Sequence, residues 1–308
     1  MRYIGAGIDI SKAVLDVAVE GEKVVRRFAN SPAGFAQAIA WLAPQQPDQV
    51  VLEATGGYEQ AALDALYEGG LPMIRINPRQ VRDFAKATGQ LAKTDRLDAR
   101  ILALMASVLP LIRYRPLDAK ALHLKQFHLR RAHIIQMLTA EKQRRRQVVE
   151  PVLREMLEEH IRRLEGDRAQ LDAHIDRLLV GTLPARVLGS IKGVGAGLLT
   201  SIICDMPELG HVNRKAIAKL YGMAPLSRDS GTFSGQRTTW GGRASPRTAT
   251  YMAALSAVRH DPYLKAFYDG LLARGKLKKV ALVAAARKLL TILNARMRDA
   301  LLAEQATC

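Results

Sequence analysis

The chain has 308 residues, 48% of them hydrophobic, which is enough for two or three domains with ordinary cores. Two distant cysteines exclude a disulfide framework and a Cys-rich zinc site, and no apolar run approaches the roughly 20 residues that cross a membrane. Lys and Arg number 46 against 29 Asp and Glu, a net charge of +17. We therefore expect a cytoplasmic protein with a polyanionic partner, above all nucleic acid. A charge that serves only solubility is the simpler alternative.

The positive charge is concentrated towards the C-terminus. Residues 1–117 carry a net charge of +2 and residues 118–183 of +3, whereas residues 184–308 carry +12. The three segments also differ in sequence pattern, and we predict three domains with these boundaries. The last segment is the expected polyanion-binding part.

The first segment alternates short apolar runs with helical patterns. "YIGAGID" is typical of a buried strand, and two further strand-like runs follow it. Ser31 as N-cap and Pro32 at the first helical position predict the start of a helix. Then come a strand at "DQVVLEAT", a helix, a strand at "LPMIRIN" and two more helices. Three strands followed by alternation is the order of an α/β ribonuclease H-like (RuvC-like) domain.

The second segment has a different sequence pattern. Between residues 118 and 180, apolar residues recur three and four positions apart, with one Gly and one Pro. This pattern predicts two long helices, and the break near Glu150-Pro151 indicates a hairpin or a kink. Such helices usually pair with each other or with another subunit. From residue 184 onward, glycines separate apolar runs, and basic helices follow a polar, Gly-rich stretch. We predict that the third domain is mostly α-helical.

Four carboxylates occupy positions that a ribonuclease H-like sheet would bring together. Asp9 lies in the first strand, Glu53 ends the fourth, and Asp95 and Asp98 begin a helix. Phosphodiester cleavage builds negative charge on the attacking and leaving oxygens, which two Mg²⁺ ions about 4 Å apart stabilise together. Mg²⁺ prefers oxygen ligands. The four residues are therefore predicted to be catalytic metal ligands, with Mn²⁺ as an expected substitute.

Each carboxylate also has a simpler interpretation. Asp9 can merely end a strand, and Glu53 can lie at a sheet edge. Thr94 is a good N-cap, and acidic residues such as Asp95 and Asp98 in a first turn favour the helix dipole. The order of all four within the predicted fold favours the metal site. An actin-like sugar-kinase fold also opens with an Asp after a strand, but it would need a second Gly-rich phosphate loop and an ordinary charge balance.

A serine of the third segment is the candidate nucleophile. Ser230 precedes a glycine in an arginine-rich stretch, and guanidinium groups can hold a phosphate bidentately and stabilise developing charge. The arginines concerned are Arg228, Arg237, Arg243 and Arg247. The alternative is a polar loop whose serines only form turns. Three other serines are rivals that spacing does not exclude: Ser227, Ser234 and Ser245.

The turn "IKGVGAGLL" at residues 191–199 is similar to one helix-hairpin-helix. Such a turn presents backbone N–H groups to a phosphate at a helix N-terminus, and Lys192 would add a positive charge there. A tight turn between two packed helices is the alternative interpretation.

Seven motifs, taken in order, give a resemblance that covers nearly the whole chain. They are "GIDISK", "LEATGGYE", "INPRQVRDFAKATG", "KTDRLDARILA", "IKGVG", "LYGMAPLSRDSG" and "GGRASPR". With them, the chain resembles the DEDD transposases of bacterial insertion sequences, which are related to the Piv invertase and are also called bridge recombinases.

The resemblance implies a RuvC-like domain whose DEDD set is Asp9, Glu53, Asp95 and Asp98, then a coiled coil and a transposase domain with Ser230 as nucleophile. It also implies homo-oligomers, dimers or tetramers, in which the RuvC-like site of one subunit works with the serine of another. The implied partners are double-stranded donor and target DNA and a structured bridge RNA from the element. A RuvC-type junction nuclease in which water attacks, and a non-catalytic nucleic-acid-binding protein, are the alternatives.

Overall fold

The computed structural model describes residues 3–90, 95–226, 238–239 and 241–307, except for the side chains of residues 95, 96, 226 and 307. The chain divides into two compact units, Met1–Pro116 and Leu117–Cys308. The second unit contains both the predicted hairpin and the predicted third domain. The predicted division at residue 183 stays a prediction.

The first unit is built on a five-stranded mixed sheet. Its strands are β1 (Gly5–Ile10), β2 (Val14–Val19), β3 (Arg26–Ala29), β4 (Gln49–Glu53) and β5 (Met73–Ile76). Their order across the sheet is β3-β2-β1-β4-β5. The first three strands are antiparallel neighbours, whereas β1, β4 and β5 are parallel. This mixed order is compatible with a ribonuclease H-like fold.

Helices cover both faces of this sheet. They are α1 (Pro32–Leu42), α2 (Gln60–Glu68), α3 (Pro78–Ala87) and α4 (Asp95–Val108), with a short 3-10 helix at Ala43–Gln45. Ser31 caps α1 by accepting a hydrogen bond from the backbone N–H of Gly34, as predicted. Apolar side chains of α1 and α2 pack on one face and those of α3 and α4 on the other. The strands β1, β2, β4 and β5 are therefore buried on both sides, which explains their consecutive apolar residues, whereas β3 at the edge is mostly exposed.

Helix α4 lies very close to the first two strands. A Cβ atom on Gly7 would stand 2.2 Å from the carbonyl oxygen of Ala99, and one on Gly5 would stand 2.4 Å from the backbone nitrogen of Ser107. Only glycine fits at these two positions of β1. Ala18 of β2 belongs to the same contact, where it packs against Ala99. The backbone of α4 thus rests directly on β1, and this contact fixes where α4 begins relative to the sheet.

The second unit is helical and starts with a long hairpin. Its two helices are α5 (Ala119–Gln147) and α6 (Pro151–Leu179). The break falls at residues 148–150, as the sequence predicted. A small apolar cluster and the ion pair of Lys142 with Glu165, at 2.6 Å, join the two helices. The hairpin is thus observed, whereas its supercoiling as a coiled coil stays a prediction.

The remaining elements of this unit surround one apolar core. They are α7 (Leu183–Leu188), α8 (Ala196–Asp205), α9 (Arg214–Leu220), β6 (Pro225–Leu226), β7 (Thr238–Thr239), α10 (Ala244–His260), α11 (Pro262–Ala273) and α12 (Lys278–Thr307). The core combines α12 residues such as Leu289 and Leu293 with α8, α9 and α10, and with the base of the hairpin. Across the described ranges, each helix is too short or too polar to cross a membrane.

Candidate active site

Asp9 and Glu53 occupy neighbouring positions on parallel strands. The register pairs Ile8 of β1 with Leu52 of β4, and one residue further along both strands come the two carboxylates. Ile8 and Leu52 are buried against α1 and α2, so the alternation of side chains puts Asp9 and Glu53 on the opposite face, which α4 covers. Paired strands are about 4.8 Å apart. Two carboxylates at that spacing are able to share one cation.

The beginning of α4 reaches the same part of the sheet. Gly5 contacts the last turns of α4, and Gly7 contacts it about one turn nearer to its start. Two strand residues span about 6.6 Å and four helix residues about 6 Å. The strand and the helix therefore run antiparallel, and two residues of β1 correspond to about one turn of α4. One more step along β1 therefore leads to Asp9, and one more turn back along α4 leads to the turn that contains Asp95 and Asp98.

The predicted carboxylates thus come from two strands and one helix that meet on one face of the sheet. Asp9, Glu53 and Asp98 are partly buried, and each interacts with a neighbouring group. The side chain of Asp95 lies outside the described residues. Within the described part of the chain, no three His, Cys, Asp or Glu side chains are grouped as metal ligands. The predicted donors are all carboxylate oxygens, and this donor chemistry fits a hard divalent cation such as Mg²⁺.

The loop after Glu53 is held by a second, structural carboxylate. Glu59 accepts hydrogen bonds from the backbone N–H groups of Gly57, at 2.8 Å, and Thr55, at 3.2 Å. Burial raises the pKa of Glu59, but these backbone hydrogen bonds outweigh it and hold the pKa below its usual value. Gly56 and Gly57 have φ angles of +77° and +120°, which suit glycine alone. The motif "LEATGGYE" therefore builds a fixed turn directly after the carboxylate of β4.

A charged pair that sequence reasoning missed lies in the same row of the sheet. Asp16 of β2 stands opposite Asp9 in the antiparallel register, and its residue surface is only 2% exposed. Arg27 of β3 stands opposite Asp16 and donates two hydrogen bonds to its carboxylate, at 2.9 and 2.7 Å. The available signal was an aspartate in the middle of the otherwise apolar strand "VLDVAV", because a buried charge needs a partner.

Part of the predicted serine site lies outside the described residues. This part comprises Ser230, Arg228 and Arg237, together with the rivals Ser227 and Ser234. The flanking strands β6 and β7 are paired, with Leu226 opposite Thr238.

Arg243 forms an ion pair with Glu208, whose side chain is buried. Its guanidinium donates to the two carboxylate oxygens of Glu208 at 2.5 and 2.8 Å, and to the carbonyl oxygen of Asp205 at 2.8 Å. The hydroxyl of Tyr221 donates to Glu208 at 2.7 Å. Burial raises the pKa of Glu208, but the contacts from Arg243 and Tyr221 outweigh it and hold the pKa below its usual value. This arrangement gives Arg243 a structural role, and its predicted contact with nucleic acid stays a prediction.

The rival serine, Ser245, belongs to a neighbouring polar cluster. Its hydroxyl donates to the carboxylate of Asp205 at 2.7 Å, and Nε2 of His128 lies 3.5 Å from the same oxygen. Burial raises the pKa of Asp205, but these two contacts outweigh it and hold the pKa below its usual value. Together with Glu208 and Arg243, this cluster fixes the start of α10. Ser245 thus has a structural task that its sequence position did not reveal.

The other predicted nucleic-acid contacts are exposed or line a cavity. Lys192 is exposed in the turn between α7 and α8. In that turn Gly193 has a φ of +91°, and its Cβ would stand 2.6 Å from the backbone of Ala253, so the turn is also tightly packed on α10. Arg247 lines a cavity of about 220 Å³ beside β7, together with Lys279 of α12. Sequence reasoning missed Lys279, which lies far from Arg247 along the chain.

A mixed sheet with carboxylates at the ends of β1 and β4 and at the start of a helix is the arrangement expected of a DEDD-type transposase domain. Residues 6–153 match the family model of the DEDD transposase of IS110 type, and residues 185–269 match that of the transposase IS116/IS110/IS902 family. Together these matches cover most of the chain. The chain belongs to the IS110-type transposases of insertion sequences, a family of DNA-recombining enzymes.

Curated relatives extend the likeness over nearly the full length. The pilin gene-inverting proteins of Moraxella lacunata and Moraxella bovis are each 25% identical over 307 aligned positions, and the alignments cover 95% of this chain and 95% of theirs. A protein of insertion element IS110 from Streptomyces coelicolor is 32% identical over 139 residues, 43% of this chain and 33% of that one.

Proposed function

We propose that this transposase cuts and rejoins DNA at the ends of its insertion sequence, with Ser230 as nucleophile and the four carboxylates as a metal site. The observation that carries the proposal is the shared sheet face, where Asp9 and Glu53 are neighbours and α4 begins beside them. The net charge of +12 on residues 184–308 supports DNA binding by the second unit. The name of the Moraxella relatives, which describes inversion of a gene, supports rearrangement of DNA.

The divalent cation would be held by Asp9, Glu53, Asp95 and Asp98. We propose two Mg²⁺ ions, replaceable by Mn²⁺, which when bound neutralise charge on the reacting phosphate. The contribution of the chain is a fixed geometry. The turn held by Glu59 and the contact of Gly7 with α4 keep the ligands in place, so that little reorganisation accompanies the reaction.

In the proposed reaction the hydroxyl oxygen of Ser230 attacks the phosphorus of the scissile phosphodiester. A serine–phosphate ester bond forms while one phosphorus–oxygen bond of the DNA breaks, and the hydroxyl proton passes to the departing DNA oxygen. One phosphodiester replaces another, so the bond energy is retained for rejoining. Lys192 would contact the DNA backbone, and the phosphate would be held by the arginines predicted above, Arg228, Arg237, Arg243 and Arg247.

The proposal includes the assembly that the resemblance implied. The first unit would act as a ribonuclease H-like, RuvC-like domain, the hairpin as a coiled coil, and residues 184–308 as the transposase domain. Dimers or tetramers would combine the carboxylate site of one subunit with the serine of another. A structured bridge RNA from the element would pair with donor and target DNA in the bacterial cytoplasm, at the nucleoid.

The experiment that tests this proposal looks for a covalent protein–DNA adduct on element-junction DNA. The protein is purified from cells that carry the whole element, and the co-purifying RNA is sequenced. Ser230→Ala should bind DNA normally and form no adduct, whereas the matched variant Ser234→Ala should form it. Asp98→Ala, and chelation of the metal, should prevent strand cleavage.

Other outcomes would support the alternatives. Free DNA ends without an adduct, lost only on carboxylate substitution, would indicate a RuvC-type nuclease in which water attacks. Salt-sensitive binding that neither Asp98→Ala nor a chelator changes, without any cleavage, would indicate a non-catalytic nucleic-acid-binding protein. The absence of a specific co-purifying RNA would contradict guidance by RNA and leave the serine chemistry standing.

A further inference from the structure

The ion pair of Arg27 with Asp16 continues the row of carboxylates towards the edge of the sheet. The paired positions run from Arg27 on β3 to Asp16 on β2 and Asp9 on β1. Glu53 continues this row on β4, one residue after the pair of Ile8 with Leu52. Paired residues on adjacent strands point to the same face of a sheet. Ala18, two residues from Asp16, packs against α4, so this face is the one that α4 covers.

Asp16 holds the guanidinium of Arg27 in one orientation. Oδ1 accepts from Nε at 2.9 Å and Oδ2 accepts from Nη2 at 2.7 Å, a bidentate geometry. The side chain of Asp16 is 3% exposed, whereas that of Arg27 is 52% exposed. The carboxylate is thus buried under the guanidinium, which is presented to solvent on the flank of the candidate metal site.

The position of Arg27 matters because the substrate is a polyanion. A sheet face that carries several carboxylates repels the DNA phosphates on either side of the scissile one. The metal would neutralise negative charge only at the scissile phosphate itself. Two strand spacings separate Arg27 from Asp9, about 10 Å. This distance corresponds to about three nucleotides along one strand of DNA, which rises 3.4 Å per nucleotide.

We propose that Arg27, oriented by Asp16, binds a backbone phosphate of the DNA strand within about three nucleotides of the scissile bond. This proposal rests on the proposed function, because it places the substrate at the carboxylate site. Asp16 is a positioning residue in this scheme and Arg27 is the binding residue. A guanidinium prearranged in this way offers a phosphate fixed N–H donors.

The neighbouring Arg26 provides a matched control. It lies on the same strand and has the same charge, but its guanidinium stands 5.4 Å from the ring centroid of Trp41. Its pairing partner Val17 is buried in the core on the α1–α2 face, so Arg26 is on the opposite side of the sheet. Any effect of total charge alone would be equal for the two arginines.

The test measures the affinity of the full chain for fluorescent element-junction DNA at several salt concentrations, with Ca²⁺ in place of Mg²⁺. Arg27→Gln should weaken binding about tenfold, as expected for loss of a charge-assisted hydrogen bond. It should also lower the slope of log affinity against log salt by about one. Arg26→Gln should stay within about twofold of the parent, and Arg27→Lys should keep the parental slope.

Binding by Arg27→Gln equal to that of Arg26→Gln would overturn the proposal. Thermal unfolding of each variant separates a folding defect from a binding defect, and Arg27→Lys retains the charge if Arg27→Gln proves unstable. Cleavage by the Asp98→Ala variant distinguishes the two proposals. If that variant cleaves DNA normally, the carboxylate site is refuted, whatever the binding of Arg27→Gln shows.

Discussion

The two units hold their candidate functional segments by different means. In the first, α4 rests on β1 through Gly5 and Gly7, so that backbone lies against backbone. In the second, the start of α10 is held by the contacts of Arg243 with Glu208 and of Ser245 with Asp205. Close packing is sensitive to volume, whereas a buried ion pair is sensitive to charge. The first unit should therefore respond to the size of a side chain and the second to its charge and to pH.

The largest effect on stability is expected from Arg243→Met in the second unit. This change leaves the buried carboxylate of Glu208 without its guanidinium, which typically costs about 3–5 kcal/mol. The free energy of unfolding of the full chain, from urea titrations followed by helical circular dichroism, measures the loss. The control is Arg186→Met, whose pair with Glu304 at 2.9 Å is exposed and contributes about 1 kcal/mol or less. Equal losses in the two variants would contradict the charge-based account.

The next effect is expected from Gly7→Ala in the first unit. One methyl group would collide with the backbone of α4 at Ala99, and overpacking of this kind costs about 1–3 kcal/mol. Because α4 must shift away from β1, cleavage should fall together with stability. Hydrogen exchange of the α4 amides measures the local change. Unchanged protection of α4 would show that the contact with β1 does not set its position.

A smaller change is expected on acidification, mainly in the second unit. The pKa values of Glu208 and Asp205 are lower in the folded protein than their usual values of 4.5 and 3.8. Their contribution to stability is therefore complete above those values and is lost as the pH falls through the folded pKa values. Unfolding measured between pH 6 and about pH 3 should show this loss. Glu208→Gln should reduce the pH dependence, and an unchanged dependence would mean that other carboxylates cause it.

The smallest effect is an increase in stability from Gly166→Ala. Gly166 lies within α6, and a Cβ added there meets no atom within 4 Å. Alanine in a helix interior is favoured over glycine by about 1 kcal/mol. Thermal unfolding should therefore shift upward, in contrast to Gly7→Ala, although the chemical change is identical. A loss of stability would contradict the open surroundings of Gly166.

Much of the local structure was predictable because its signals are local. Ser31 with Pro32 marks the start of α1, and Pro151 marks the break in the hairpin. The strand order predicted that the strands of Asp9 and Glu53 come together, and β1 and β4 are neighbours in the sheet. The caps and the break depend on residues only a few positions apart in the sequence. The strand order depends on the general rules for how consecutive strands are connected in a sheet.

The sequence by itself therefore determined the strand and helix order of the first unit, the helical hairpin and the membership of a DNA-recombining family. The tertiary structure alone decided which charges meet. Arg27 pairs with Asp16, which is 11 residues away along the chain, and Arg243 pairs with Glu208, which is 35 residues away. Glycine is needed at position 7 only because α4 crosses β1 there. The physical reason is that a buried charge loses its hydration, so its energy depends on the partner that folding places beside it. A methyl group added in a close-packed interior has no free volume, so its energy depends on the atoms that folding packs around it.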